Sequence, residues 1–177
     1  MDNGFLFASR TTTGHAPEIA EPSPVFDVMD VFGIPISVGR TLVAGRSTLL
    51  MFIRPTCPIF AKLIDVIKSV TAREGVDVVL ISDEQDANQC DLLDPHSLDS
   101  IRYDMGGMRY VVSTEIGRRF QVSTTPYGVL LDAQGTISVK ARCTSSRHVE
   151  SLFQTRRTGY YSLHGYCLDV SRLPTSV

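Results

Sequence analysis

Met51-Phe52-Ile53-Arg54-Pro55-Thr56-Cys57-Pro58-Ile59-Phe60 decides how this chain is read, because an apolar run empties into a cysteine where a helical pattern begins. Residues 49–53 are continuously apolar after Ser47-Thr48, the mark of a central strand covered on both faces. From Pro58 to about Arg73 the apolar positions Phe60, Leu63, Ile64 and Ile67 follow the i, i+3, i+4, i+7 rule and predict an amphipathic helix. Pro58 suits its first position, where a missing N–H costs no hydrogen bond. Backbone N–H groups at such a helix start favour negative charge, so Cys57 is expected as a presented, nucleophilic thiol rather than a core residue. A dithiol oxidoreductase needs a second cysteine one turn later, in the Cys-x-x-Cys spacing. That position is Phe60, on the apolar stripe, so the expected chemistry is monothiol or borrows a distant cysteine.

Outward from this junction, residues 76–82 (VDVVLIS) form a second buried strand, and strand, helix, strand predicts a parallel pair. Upstream, residues 25–31 and 34–38 flank Phe32-Gly33 and read as a hairpin. Downstream, a helix is expected around Ser97 to Tyr103, then a strand at 108–112 and a helix capped by Ser113 running to Phe120. Residues 127–132 and 136–142, joined by Ala133-Gln134-Gly135, form the clearest hairpin, and Ser146 is positioned to cap a last helix ending near Thr155. The expected fold class is α/β, a mixed central sheet flanked by helices with an N-terminal hairpin extension. Residues 1–24 read as a flexible leader, 25–157 as the folded domain and 158–177 as an aromatic tail that folds back on the body or forms a homodimer contact.

Composition excludes several function classes. The 177 residues suit one core with extensions, and 43% hydrophobic with 20% charged residues is ordinary for a globular chain. A net charge of −2 without a basic run makes nucleic acid an unexpected partner. The first 24 residues lack the basic flank and apolar run of a secretory signal, and no stretch reaches the ~18 apolar residues of a membrane span, so no membrane partner and a cytoplasmic location are expected. Cys57, Cys90, Cys143 and Cys167 are too irregularly spaced for a zinc site or a small disulfide framework. His15, His96, His148 and His164 show no metal-ligand spacing, and Met105-Gly106-Gly107-Met108 lacks the lysine of a phosphate loop, so neither metal nor cofactor is expected. As resolving partners, Cys143 is placed at the far end of the last strand, Cys90 in a loop and Cys167 in the tail; bridging would need Cα atoms within about 7 Å.

A thiol at a strand-to-helix junction, Thr125-Pro126 directly before a hairpin, and a closing helix resemble the thioredoxin fold. Ser47-Thr48-Leu49-Leu50, Pro55-Thr56-Cys57-Pro58, residues 110–117, Val122-Ser123-Thr124-Thr125-Pro126-Tyr127 with Leu130-Leu131-Asp132, and residues 148–153 are similar, in the right order, to the methylamine utilisation protein MauD family. The resemblance spans residues 25–153. It implies a cis proline at Pro126 lying against Cys57, with Thr56, Pro58, Thr125, Pro126 and Tyr127 around the thiol as the edge that binds peptide or ligand. It also implies an accessory role in forming or isomerising disulfides while a cysteine-rich amine dehydrogenase subunit matures. Family members usually carry a membrane anchor and Cys-Pro-x-Cys; this sequence has Cys-Pro-Ile-Phe and shows no anchor ahead of its hairpin.

Peroxiredoxins share this fold, but their Pro-x-x-x-Thr-x-x-Cys pattern is broken here by Arg54 at the threonine position. Arg54 can instead stabilise a thiolate or an anionic ligand by charge. The leading expectation is a thiol protein acting through Cys57 on a partner protein disulfide, a small-molecule thiol or an electrophile. The alternatives are a redox-inactive binding module for a biosynthetic or maturation partner, and a non-redox cysteine enzyme acting on a small molecule.

Overall fold

The computed structural model describes residues 18–55, 57–83 and 108–158, with side chains through residue 154. A five-stranded mixed sheet is built from β3 (Thr48–Phe52), β4 (Asp77–Ser82), β5 (Arg109–Val112), β6 (Tyr127–Leu131) and β7 (Ile137–Arg142), in the order β5-β4-β3-β6-β7. A separate antiparallel hairpin, β1 (Phe26–Met29) and β2 (Pro35–Val38), precedes it. The helices are α1 (Pro58–Glu74), α2 (Thr114–Arg119) and α3 (Ser146–Thr158). Pairing is parallel for β3–β4 and β4–β5 and antiparallel for β3–β6 and β6–β7. The continuous apolar run is central for the reason expected: every residue of β3 is buried, with a core on each face.

Pleat alternation divides those cores. Leu49, Met51 and Ile53 join Phe60, Leu63 and Ile67 of α1 and Val149, Leu152 and Phe153 of α3 on one face. Leu50 and Phe52 join Ile36 and Val38 of β2, Ile116 of α2 and Phe120 on the other. Each fully buried aliphatic or aromatic side chain contributes about 1.5–3 kcal/mol, so the two layers carry the fold. α1 ends as its sequence predicts, at Gly75 in the left-handed conformation (φ 63°), whose N–H bonds Ala72 O.

Three local expectations are refined. The cap of α3 is Ser145, whose Oγ and carbonyl accept from His148 N, and the helix runs to Thr158, three residues past the predicted end. Residues 20–23, assigned to the leader, are tied to the sheet: Ala20 N donates to Ile137 O, Ser23 N to Gly135 O, and Ile137 N to Glu21 O. The edge strand β7 leaves backbone groups unpaired, and this segment satisfies them. The helix expected at Ser97 to Tyr103 and the aromatic tail lie outside the described residues.

Asp30 fixes the hairpin to the sheet and was not anticipated. Its side chain is fully buried; Oδ1 accepts from Phe32 N (3.0 Å) and Ile34 N (2.9 Å), and Oδ2 pairs with Arg109 Nη1 at 2.8 Å. Val31 N adds a bond to Tyr110 O at 2.9 Å. Replacing Asp30 by Ala leaves two amides and a guanidinium short of an acceptor and is expected to cost about 3 kcal/mol, read from urea unfolding. A loss below about 1 kcal/mol would show that water replaces the carboxylate.

Candidate functional site

Strand β3 delivers the chain to Ile53, and beyond it Cys57 N donates to Arg54 O at 2.9 Å. Cys57 is the N-cap of α1, with extended backbone (φ −76°, ψ 115°), and its carbonyl accepts the first helical bond from Ala61 N at 3.3 Å. Its sulfur makes no capping hydrogen bond, so the thiol remains available. No acidic residue stands in the first turn to offset the helix dipole. Cys57 is half-buried against the α1-face core, whereas Pro58 and Ile59 beside it are exposed. Phe60 is 5% exposed and sits in that core, so the place of a resolving thiol is filled with ring carbons.

The second component comes from β6. Phe52 pairs with Tyr127, so the residues just beyond each, Ile53 and Pro126, meet at the end of the sheet from which Cys57 emerges. The Thr125–Pro126 peptide bond is cis, and Pro126 is buried. Alternation places Pro126 on the face of Ile53 and α1, the side against which Cys57 packs. Tyr127, expected to flank the thiol, instead packs against the core cluster of the opposite face, which holds Phe52, because adjacent strand residues point to opposite sides. Burial raises its phenol above the usual 10.0, with added repulsion from Cys143 and Glu18. Thr125 is half-buried and lines a cavity of about 130 Å³ with Phe52, Ser82, Ser113 and Arg118. Thr56 lies outside the described residues.

Cys143, expected remote from the thiol at the far end of the last strand, is not remote: β7 runs antiparallel to β6, so its end returns to the thiol end of the sheet, where Cys143 N donates to Pro126 O at 2.8 Å. Its side chain turns away from that edge. A Cβ added at Gly128 would stand 3.2 Å from Cys143 Sγ and 2.9 Å from Leu152 Cδ1, which puts the sulfur between β6 and α3. Burial pushes this thiol from 9.0 up to about 12, only partly offset by a hydrogen bond from the Gly128 backbone. Cys143 is therefore a core thiol, not a ready resolving partner; Cys90 and Cys167 lie outside the described residues. Counting outward from Ala133-Gln134-Gly135 alone sets Cys143 opposite Thr125; a bulge between Leu130 and Leu131 shifts the register by one residue and brings it to Pro126.

The raised Cys143 value has a pH consequence. The folded state holds this proton more tightly than the unfolded chain, so the stabilisation is complete below pH 9 and declines as pH rises from 9 toward 12. The expected slope is about 1.4 kcal/mol per pH unit, with Tyr127 adding in the same direction above pH 10. Urea midpoints measured between pH 8 and 10.5 should fall less steeply in Cys143→Ala than in the unaltered chain; parallel slopes would show that the buried thiol does not titrate in this range.

His148, at the start of α3, is exposed and accepts or donates at Thr144 Oγ1 (3.0 Å); the other three histidines lie outside the described residues. Among the described residues no group of three or more His, Cys, Asp or Glu side chains could hold a metal. No helix of the described residues is long and apolar enough to cross a membrane.

No family model matches the chain. Among curated proteins it is 49% identical over 152 residues to methylamine utilization protein MauD of Methylobacillus flagellatus, covering 86% of this chain and 71% of the relative. It is 48% identical over 160 residues to MauD of Methylophilus methylotrophus, covering 90% and 72%. Among solved structures, a DsbE-type thiol:disulfide interchange protein of Chlorobium tepidum superposes with a TM-score of 0.63 at 14% identity, covering 82% of this chain and 99% of that one. At that identity the likeness is one of fold, and the fold shared is that of thioredoxin-like proteins.

Proposed function

Because this chain belongs to the MauD family and has the thioredoxin fold, we propose that it is a thiol protein acting through Cys57 alone on a disulfide of a partner protein. The observation that carries the reading is a half-exposed cysteine at the N-cap of α1, its sulfur unused in capping, at the same end and face of the sheet as cis Pro126. The thiolate of Cys57 attacks one partner sulfur; the partner S–S bond breaks, a Cys57–partner S–S bond forms, and the second partner sulfur leaves as thiolate. A partner thiolate then attacks the mixed disulfide and frees Cys57. No electrons are gained or lost overall, so the cycle rearranges disulfides without a resolving cysteine. Pro126 and the Thr125 backbone form the edge against which the partner segment lies, and exposed Pro58 borders the thiol on the other side.

The relatives' name points to methylamine utilization, and the partner we assign is a disulfide-bearing protein of that process. A small-molecule thiol can release Cys57 from the mixed disulfide by the same exchange, leaving as its own mixed disulfide with the partner sulfur.

An aromatic disulfide reagent tests the single-thiol cycle. In a Cys90→Ser, Cys167→Ser background at neutral pH, it should form an adduct on Cys57 that persists until an external thiol is added, while Cys143 stays unmodified in peptide mapping. Spontaneous loss of the adduct with formation of a Cys57–Cys143 bridge would replace the monothiol reading with a dithiol one. A second reading, a redox-inactive accessory module, is favoured by buried Phe60, which converts the resolving position into packing; it predicts a Cys57 no more reactive than an exposed cysteine in a peptide.

A further inference from the structure

A groove of about 820 Å³ lies away from the thiol, between the β2–β3 connection, the second half of α1 and the starts of β4 and β5. At about 1.5 Å per residue, Lys68 on its wall stands about 16 Å along α1 from Cys57. Asp77 and Arg109 open strands that run parallel to β3, so they mark the end of the sheet opposite the one that presents Cys57.

Arg40, Arg46, Lys68 and Arg109 line this groove, and among the described residues the lining carboxylate is Asp77. This cationic lining belongs to a chain whose net charge is −2. Arg46 bonds Asp77 at 3.3 Å and Arg109 bonds buried Asp30 at 2.8 Å, which anchors both guanidinium groups along the groove instead of leaving them to sweep through solvent. Arg40 is exposed. Between the charges the surface is apolar: Leu42 and Met108 are half-buried, and Val43 is 46% exposed.

We propose that this groove docks an extended acidic segment of a partner protein, one in which carboxylates alternate with apolar side chains. The cations come from three separate elements and do not converge on one point, which suits a chain laid along the groove better than a compact anion. The apolar surface between them gives the intervening side chains a place to bury. The inference rests on the proposed function only for the class of occupant, a protein, and gives that partner a second contact remote from the sulfur.

The probe is a fluorescent peptide alternating glutamate and leucine. It contains no sulfur, so its failure to bind is a separate result from any failure of the thiol reading. Fluorescence anisotropy should show binding that weakens with salt and falls at least about tenfold in Arg40→Glu, Lys68→Glu. Arg40→Gln, Lys68→Gln should lose less, and both variants should keep the far-UV circular dichroism spectrum and Cys57 alkylation rate of the unaltered chain. A lysine–leucine peptide should not bind. Binding unaffected by the charge reversals would overturn the proposal, as would the absence of binding. Displacement of the peptide by citrate at equal concentration would make this a small-anion site and overturn it too. So would self-association in sedimentation that disappears in the charge-reversed variant, because the occupant would then be a second copy of this chain.

Discussion

Serine in place of Cys57 is expected to abolish mixed-disulfide formation with a partner while leaving the fold as stable as before or slightly more so. The two effects separate because the residue holds two positions at once. As N-cap of α1 its sulfur makes no hydrogen bond to the helix, whereas a serine hydroxyl at an N-cap accepts from a free N–H and adds up to about 1 kcal/mol. As a nucleophile, the neutral hydroxyl does not attack a disulfide, so the rate should fall by at least about a thousandfold, about 4 kcal/mol in barrier height. Turnover of a scrambled disulfide substrate and the thermal midpoint, measured on one preparation, give both numbers. Retained turnover would remove Cys57 from the mechanism. A midpoint several degrees lower would mean that the sulfur contributes packing that its half-buried position understates.

Gly39→Ala should be among the most damaging single substitutions outside the two cores. Gly39 follows β2 at φ +95°, and a Cβ there would stand 1.9 Å from the Pro24 carbonyl oxygen, a backbone atom with no flexible side chain to move aside. A left-handed, non-glycine conformation and the displacement of the chain at Pro24 together cost about 4 kcal/mol, a large share of a typical stability of about 5–15 kcal/mol. The melting temperature should drop by about 10 °C. Gly33→Ala is the control: its φ is +73° but nothing lies within 4 Å of the added carbon, so only the conformational cost of about 1 kcal/mol remains. Equal effects at the two positions would mean that the residues 20–24 segment relaxes away without loss.

Much of the architecture was legible in the chain because it rests on local rules. The apolar run 49–53 carries the mark of a covered strand, the i, i+3, i+4, i+7 spacing after Pro58 that of a helix against it, and Gly33 and Gly135 turn their hairpins at positive φ. Residues that owe their place to a neighbour far along the chain were less legible. Asp30 is one acid among many until β5 brings Arg109 to it. Tyr127 is next to Pro126 in sequence but not beside the thiol in space, because a one-residue step along a strand turns the side chain to the other face.

By itself the sequence determined the order of strands and helices, the presentation of Cys57 at a helix start, and the loss of the resolving position to Phe60, since periodicity and capping act within a few residues. Only the tertiary structure decided which groups share an end and a face. Antiparallel return brings Cys143 back to Pro126, yet the pleat and the space left by Gly128 turn its sulfur into the core. The β2–β3 connection, the second half of α1 and the start of β5 likewise bring Arg40, Arg46, Lys68 and Arg109 to one groove at the end opposite the thiol. Register and packing are properties of paired segments, and no single stretch of chain contains them.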